Sequence, residues 1–409
     1  MLMDGTRMPY GDQAQVYGAA MYFNSGNYIN LSPGGYLDMY PHQLGYVAFL
    51  QLLFKLTGSN SFFMIQVINC LFTAGIVFSA CLLLDDFTDK VYLQMIGTLL
   101  ALLLLPLYCF ANMLYGDTPS LLFSLLFLHH FIKALQNPRC SYFILCVLEI
   151  TLAVLLKKNA IIMLLAAVII LTIHLIIVKR PLFILLLLAL CILPVGLPKL
   201  LEAHYRHVSG YEIKGGIPAI SWITMGTLEE GGCPGWFNNY PVPAYYEAGF
   251  DRQLAAEKAL EKLSERFTYF KEEPVYALSF WKRKICTQWN DPFFNSYGVM
   301  LTDEEPRQGI TEFIIDHHKG ILTFLSLLQN ITYWGVLIYL ILRKDTTEAD
   351  TYMLLPEVCI LGEFLFSIIW EANSHCVIPY YIIMIPLACM GWNDLLSKIM
   401  SHKQKSMVQ

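Results

Sequence analysis

The chain has 409 residues, 56% of them hydrophobic and only 14% charged, a balance too apolar for a soluble domain. Its formal net charge of −5 supplies none of the basic surface that nucleic acid requires, which removes that class of partner. The eleven cysteines form no CxxC pair and no metal spacing. Seven of them, Cys70, Cys81, Cys109, Cys146, Cys191, Cys359 and Cys389, lie in apolar spans, where a thiol packs as a small hydrophobe.

Residues 1–41 carry Asp, Arg, Asn, Gly and Pro where a cleavable signal peptide would have an apolar core. Within them, Tyr10-Gly11-Asp12-Gln13 is a polar tract placed ahead of all the hydrophobic spans. Residues 42–57 are apolar but short and stop at Gly58-Ser59-Asn60, which predicts a helix lying in the membrane interface. Residues 61–84, 91–113, 117–135, 160–178, 181–200, 320–342, 353–370 and 376–395 are each near the ~20 apolar residues that cross a bilayer. The run from Tyr142 to Val178 is 37 residues long, nearly twice what one crossing needs, so a turn at Lys157-Lys158-Asn159 splits it and adds a ninth crossing. Residues 201–319 form an extramembrane domain, in which 247–273 reads as a solvated helix and 274–289 as a helix returning to the membrane with Trp281, Trp289, Lys282, Arg283 and Lys284 at headgroup level. The fold class is therefore an all-α polytopic membrane protein. It divides into an outward first loop with an interfacial helix (1–60), six crossings (61–200), an external domain (201–319), and three crossings with a cytoplasmic tail (320–409).

Orientation follows from lysine and arginine in the short loops. An outward N-terminus puts Lys90, Lys133, Arg139, Lys179, Arg180, Arg343, Lys344, Lys398, Lys403 and Lys405 in the cytoplasm, and leaves Arg7, Lys55, Lys157 and Lys158 on the other side, apart from the long 201–319 segment.

The order of these features resembles a family. An outward acid at Asp12, Tyr40-Pro41-His42 opening an interfacial helix, the basic pair Lys157-Lys158 at an outward turn, a large external loop, and Glu371 followed by an outward loop and Pro379 are similar to the GT-C superfamily of membrane glycosyltransferases. The likeness is to the bacterial protein O-mannosyltransferase and aminoarabinose-transferase branch, of glycosyltransferase family 39 type. It implies a GT-C-like helical bundle at the cell membrane. It also implies inverting transfer of a sugar from a polyprenyl-phosphate donor to an acceptor glycan, lipid or protein at the extracytoplasmic face, with no cofactor and no metal site indicated.

On this resemblance Asp12 is the general base. A carboxylate in hydrogen-bond reach takes the proton of the attacking hydroxyl, and no acid is needed for a phosphate leaving group. The competing reading makes Asp12 a solvated acid, with Asp4 and Asp38 as rival carboxylates; Asp38 could instead orient the loop before Tyr40 and His42. Lys158, seconded by Lys157, takes the position of the relatives' lysine and would stabilise the departing phosphate, although Asn159-Ala160 stands where they have Gly-Pro. The bland alternative is a pair of snorkelling lysines. His375-Cys376 replaces an Arg-Tyr pair, so His375 is the candidate for the arginine's role, with a charge that depends on pH. Asp117, in Tyr115-Gly116-Asp117-Thr118-Pro119, reads first as a helix N-cap and second as an acid near the sugar. Tyr40, His42 and Glu371 complete the expected sugar or acceptor surface. His129-His130 and His317-His318 read as interfacial or packing residues.

Two other functions fit the composition: a transporter or flippase, which would show repeated halves and broken helices, and an envelope assembly protein acting through residues 201–319. The family also has a crossing ahead of the Asp12 loop. The expectation is therefore that a further stretch of ~20 apolar residues belongs upstream of Met1.

Overall fold

In a computed structural model of the chain, residues 9–229, 233–297, 309–343 and 348–408 are described. Those residues fold into helices, with no strand among them. Three helices open the chain: α1 (Gly11–Asn24), α2 (Tyr36–Met39) and α3 (Leu44–Thr57). Asp12 thus stands in the first turn of a helix within the segment read from sequence as an outward first loop. The α1 helix packs on α3 through Val16, Ala19, Ala20 and Phe23 against Tyr46, Val47, Leu50 and Phe54, all buried. Gly58 closes α3 in the left-handed conformation (φ 64°), the usual glycine stop.

The bundle begins with α4 (Phe62–Phe87), followed by α5 (Val91–Leu102) and α6 (Leu105–Cys109). The predicted span 91–113 is broken between α5 and α6, with a bend of 47°. Pro106 explains the break, because it has no N–H to give the Leu102 carbonyl; the Tyr108 hydroxyl donates to that carbonyl instead, at 2.9 Å. Next come α7 (Asp117–Gln136), α8 (Cys140–Leu156), α9 (Ile161–Val178) and α10 (Leu182–Ser209). The predicted turn between α8 and α9 is present. Lys157 ends α8 in extended backbone (φ −148°, ψ 115°), and a 3-10 turn, Lys158–Ala160, starts α9.

Outside the bundle lie α11 (Ala219–Met225), α12 (Pro241–Glu247), α13 (Arg252–Glu272), α14 (Pro274–Trp289) and α15 (Gly309–Asp316). The Asp251 carboxylate caps α13 by accepting the Gln253 and Leu254 amides, and Pro274 opens α14 at a position where its missing N–H costs nothing. Three helices close the chain: α16 (His318–Leu342), α17 (Leu355–Ile369) and α18 (Ile378–Val408). Among the described residues, seven helices are long and apolar enough to cross a membrane, the bent α5–α6 pair brings the number to eight if it is one span, and α8 is a shorter apolar helix of 17 residues. At 1.5 Å per residue α8 spans roughly 26 Å.

Among the long apolar helices, α7 and α18 are the most buried. Their neighbours are α4, α8 and α9 around α7, and α5, α16 and α17 around α18. Small residues allow the closest approaches, as between membrane helices generally. A Cβ on Gly391 would overlap the Gly335 carbonyl across the α16–α18 contact, and one on Gly45 or Gly116 would overlap the carbonyl of Leu155 or Leu156 at the end of α8. At the opposite end of the bundle, buried Asp86 of α4 meets His129 (2.7 Å) and Lys133 (2.8 Å) of α7, while buried Glu149 of α8 meets His130 (2.9 Å). The adjacent histidines therefore answer two acids inside the bundle.

Replacing Gly116 by Ala forces a methyl group into a backbone carbonyl and should cost about 1–3 kcal/mol, the range of an overpacked core, read as a lower melting temperature of the purified protein in detergent. Gly196, in α10, faces open space; Gly196→Ala should hold or raise that temperature, because alanine is the better helix former by ~1 kcal/mol.

Candidate functional site

Seven of the sequence's candidate residues, Asp12, Tyr40, His42, Asp117, Lys157, Glu371 and His375, meet at the end of the bundle where α1 and α2 lie, and the meeting is organised by side chains around them. Gly11 adopts a positive φ (54°), which lets the chain enter α1 with Asp12 in its first turn. The next side chain, Gln13, is buried, and its Oε1 accepts the Leu114 amide at 2.8 Å, so α1 is tied to the strap that leads into α7. Tyr36 of α2 and Tyr40, the residue that follows it, lie ring against ring, 5.0 Å between centroids. Gln43 donates from Nε2 to the Tyr115 hydroxyl, and the Tyr115 ring carries the Lys157 ammonium 4.6 Å from its centroid, a favourable cation–π distance.

Lys157 is the hub. Its Nζ donates to Asp117 Oδ2 at 2.9 Å, and the other Asp117 oxygen lies 3.4 Å from His375 Nε2. Asp117 is the first residue of α7 and Gly116 holds the N-cap position, so the N-cap reading gives way. Its carboxylate answers a lysine and a histidine from two other segments of the chain. Asn159 donates from Nδ2 to Cys376 Sγ at 3.2 Å, joining the α8–α9 turn to the segment before α18. Asp117, Lys157, Asn159, His375 and Cys376 line one end of a cavity of about 650 Å³, part of it open to solvent. The rest of its wall is mostly apolar, with Ile76, Leu107, Phe110, Leu121, Met163 and Ile378.

The charges form one electrostatic system. Although Asp12 is solvent-accessible, the protein packed around it removes enough water to raise its pKa above the ordinary carboxylate value, and Lys157 pulls against that rise. Burial pushes Glu371 up to about 7, opposed by Lys157 and Lys284 and reinforced by Asp12. Burial works against the Lys157 ammonium too, but Asp117 first and Glu371 after it keep its pKa above the usual lysine range. His42 is held neutral by the surrounding protein and by the positive charges of Lys157 and Lys158. Its ring is nevertheless solvent-accessible, as expected for the floor of an open cleft. Burial and the Asp12 charge both raise the Tyr40 phenol. Asp12, Tyr40, Lys157 and Glu371 thus lie within electrostatic reach of one another.

Several expected residues stand elsewhere. Lys158 is exposed and does not line the cavity; the extended backbone at position 157 turns Lys157 inward and leaves Lys158 outside. Lys284, predicted at headgroup level, is fully buried and donates to three backbone carbonyls. Asp38 is buried and accepts the Gly34 amide at 2.9 Å, which orders the loop before α2. Asp4 lies outside the described residues. Tyr36, Tyr115, Gln13, Asn159 and Cys376 were not among the sequence's candidates, although Tyr115 and Gln13 are close neighbours of Asp117 and Asp12. Among the described residues, no group of three His, Cys, Asp or Glu side chains could hold a metal ion.

The Lys157–Asp117 pair lies between surface and deep interior, with side chains 17% and 22% exposed. Lys157→Met or Asp117→Asn alone should destabilise the protein by on the order of 1–3 kcal/mol, between the costs for exposed and fully buried pairs. The double variant should cost less than the sum, because no unpaired charge remains; thermal unfolding of the four proteins in one detergent measures the coupling.

Residues 42–198 match the sequence model of the dolichyl-phosphate-mannose-protein mannosyltransferase family. The matched stretch holds His42, Asp117, Lys157 and Lys158; Asp12, Tyr40, Glu371 and His375 lie beyond it. No curated protein matches the chain. Taken with the seven membrane-length helices, the family match makes this chain a multi-pass membrane protein similar to the GT-C-type glycosyltransferases.

Proposed function

We propose that the chain transfers a sugar from a polyprenyl-phosphate donor to a hydroxyl acceptor at the extracytoplasmic face of the membrane, with inversion and with Asp12 as general base. The observation that carries this reading is the sequence of environments around Lys157. On one side stands Asp12, a solvent-accessible carboxylate within its electrostatic reach; on the other runs the largely apolar cavity that Lys157 itself lines. A sugar joined through phosphate to a hydrocarbon chain has the same order of parts.

In the proposed step the acceptor oxygen attacks the anomeric carbon from the face opposite the phosphate, and Asp12 takes the hydroxyl proton. The bond between the anomeric carbon and the phosphate oxygen breaks, and its electron pair leaves with the polyprenyl phosphate. Lys157, in place of Lys158, supplies the cation that steadies this growing charge; His375 stands beside the same Asp117 carboxylate and completes the phosphate end. Tyr40, His42 and Glu371 offer hydroxyl, imidazole and carboxyl groups to the sugar or acceptor. The raised pKa of Asp12 suits the role, since a stronger base drives proton transfer better.

Purified protein supplied with a panel of polyprenyl-phosphate sugars tests the reading directly, and a protein that turns over none of them would sink it. Asp12→Asn should lower turnover by about 10²–10⁴-fold while donor affinity stays near wild type; wild-type turnover by this variant would remove Asp12 from the role. Lys157→Ala should weaken donor binding or turnover by ~1.5–3 kcal/mol, one charge-assisted contact, and exposed Lys158→Ala should change it little.

The pH dependence has a definite sign. Asp12 must be ionised to act, and its pKa is raised, so the rate should fall as pH drops, beginning above the ordinary aspartate range. Glu371, with a pKa of about 7, adds a titration near neutrality. Glu371→Gln should remove that upper part of the acid limb from kcat/KM and leave the lower part due to Asp12.

A further inference from the structure

Glu371 sits on the segment between α17 and α18, and the end of α17 is closed in an unusual way. Lys284 of α14 is 0% exposed, and its ammonium donates to the carbonyls of Ile368 at 2.9 Å, Trp370 at 2.7 Å and Gly226 at 2.7 Å. The three N–H donors are then spent on three carbonyls, and none is left for a phosphate. Two of those carbonyls belong to the last turn of α17 and the residue just before Glu371, where a cation also meets the negative end of the helix dipole. The Trp281 ring lies 5.2 Å away as a further partner for the charge.

The socket is shaped by backbone as well. Gly235 has a positive φ (74°), and a Cβ there would press on the Lys284 stem and the Gly226 carbonyl. Its amide donates to the Leu228 carbonyl at 2.7 Å, and its carbonyl accepts the Ala372 amide at 2.8 Å. Glu371 is therefore bracketed: the preceding carbonyl, of Trp370, is held by Lys284, and the following amide, of Ala372, is held by Gly235. Both holds come from the extramembrane part of the chain.

We propose that Lys284 is a positioning residue for Glu371, closing α17 and fixing the Glu371 carboxyl at the site through the Trp370 carbonyl, Gly226 and Gly235. Burial lowers the Lys284 pKa to about 7 and the Glu371 carboxylate pulls against that fall; when charged, the ammonium in turn opposes protonation of Glu371. The catalytic consequence rests on the reading above; the structural one does not. The arrangement couples the outer helices α11 and α14 to the site, so that a change in how the outer segment packs moves an acid at the site without touching substrate.

The test uses the full chain in four forms: wild type, Lys284→Met, Glu371→Gln and the double variant. Amide hydrogen exchange across residues 368–376 and steady-state transfer are measured on each. Lys284→Met should raise exchange at Ala372 and its neighbours by at least ~10-fold, as local opening becomes easier. It should lower kcat by a similar factor with little change in donor KM. If Lys284 acts through Glu371, the Lys284→Met effect on kcat should shrink to below ~3-fold once Glu371→Gln is present, because the two changes share one target. Unchanged exchange, an unchanged kcat, or fully additive losses would each overturn the proposal. Should Lys284→Met not yield folded protein, Gly235→Ala disturbs the same socket and is held to the same outcomes. Should the wild type transfer no sugar from any donor, the proposed reaction fails, and exchange across residues 368–376 alone decides whether Lys284 fixes the segment.

Discussion

The ion pair between Lys157 and Asp117 is the constraint around which the rest of the site is arranged. Lys157 comes from the turn that ends α8, and Asp117 opens α7. His375, from the segment before α18, approaches the same carboxylate, and the Tyr115 ring covers the ammonium. Three separate stretches of chain are thereby fixed to one charge pair. In surroundings of reduced dielectric such a pair is held far more firmly than on a wet surface, and losing either partner leaves a charge without an answer. Gly45 and Gly116 serve this arrangement, since only residues without a Cβ let α3 and the strap before α7 come so near the last carbonyls of α8.

The position of that pair explains the mixed character of the cavity. The two most buried long helices, α7 and α18, both start at its polar end. Their free amides and positive dipole ends therefore face the place where Lys157 projects. The same helices also give the wall Thr118, Ser120, Leu121, Ser124, Ile378 and Tyr380, and the lining as a whole is largely apolar. One end suits a charged group and the other a hydrocarbon. The carboxyl groups of Asp12 and Glu371 stand outside this boundary, where a hydroxyl-bearing molecule could arrive from solvent.

Rigidity at the other end of the bundle supports this geometry. Asp86 joins α4 to α7 through His129 and Lys133, and Glu149 joins α8 to α7 through His130. Buried acids with basic partners on neighbouring helices fix rotation and depth more strictly than apolar contacts do, because sliding by one turn would leave a charge unpaired. Helices held in register there deliver Asp117 and Lys157 to each other roughly 12–24 Å away along the helix axes, at 1.5 Å per residue.

Hydrophobic blocks of membrane length follow from bilayer thickness alone, so the helical class, the long helices and the split of residues 142–178 at Lys157 were legible before any fold was known. The resemblance to the GT-C glycosyltransferases, joined to residue chemistry, marked Asp12, Asp117, Lys157, Glu371 and His375 as groups worth placing. What hydropathy cannot encode is which way a side chain leaves the backbone. Lys157 and Lys158 are equal in sequence, and only the extended turn at the end of α8 sends the first to Asp117 and the second to solvent. The same holds for Asp117, whose cap-like sequence gave way to a lysine 40 positions along the chain, and for Lys284, whose amphipathic helix masked a socket built from residues 58 to 86 positions distant. Local sequence determined which segments are helices and where they stop, because those depend on hydrogen bonds and burial within a few residues. The tertiary structure decided which charges meet, because a charge in a bundle takes its partner from whichever segment packing brings within reach.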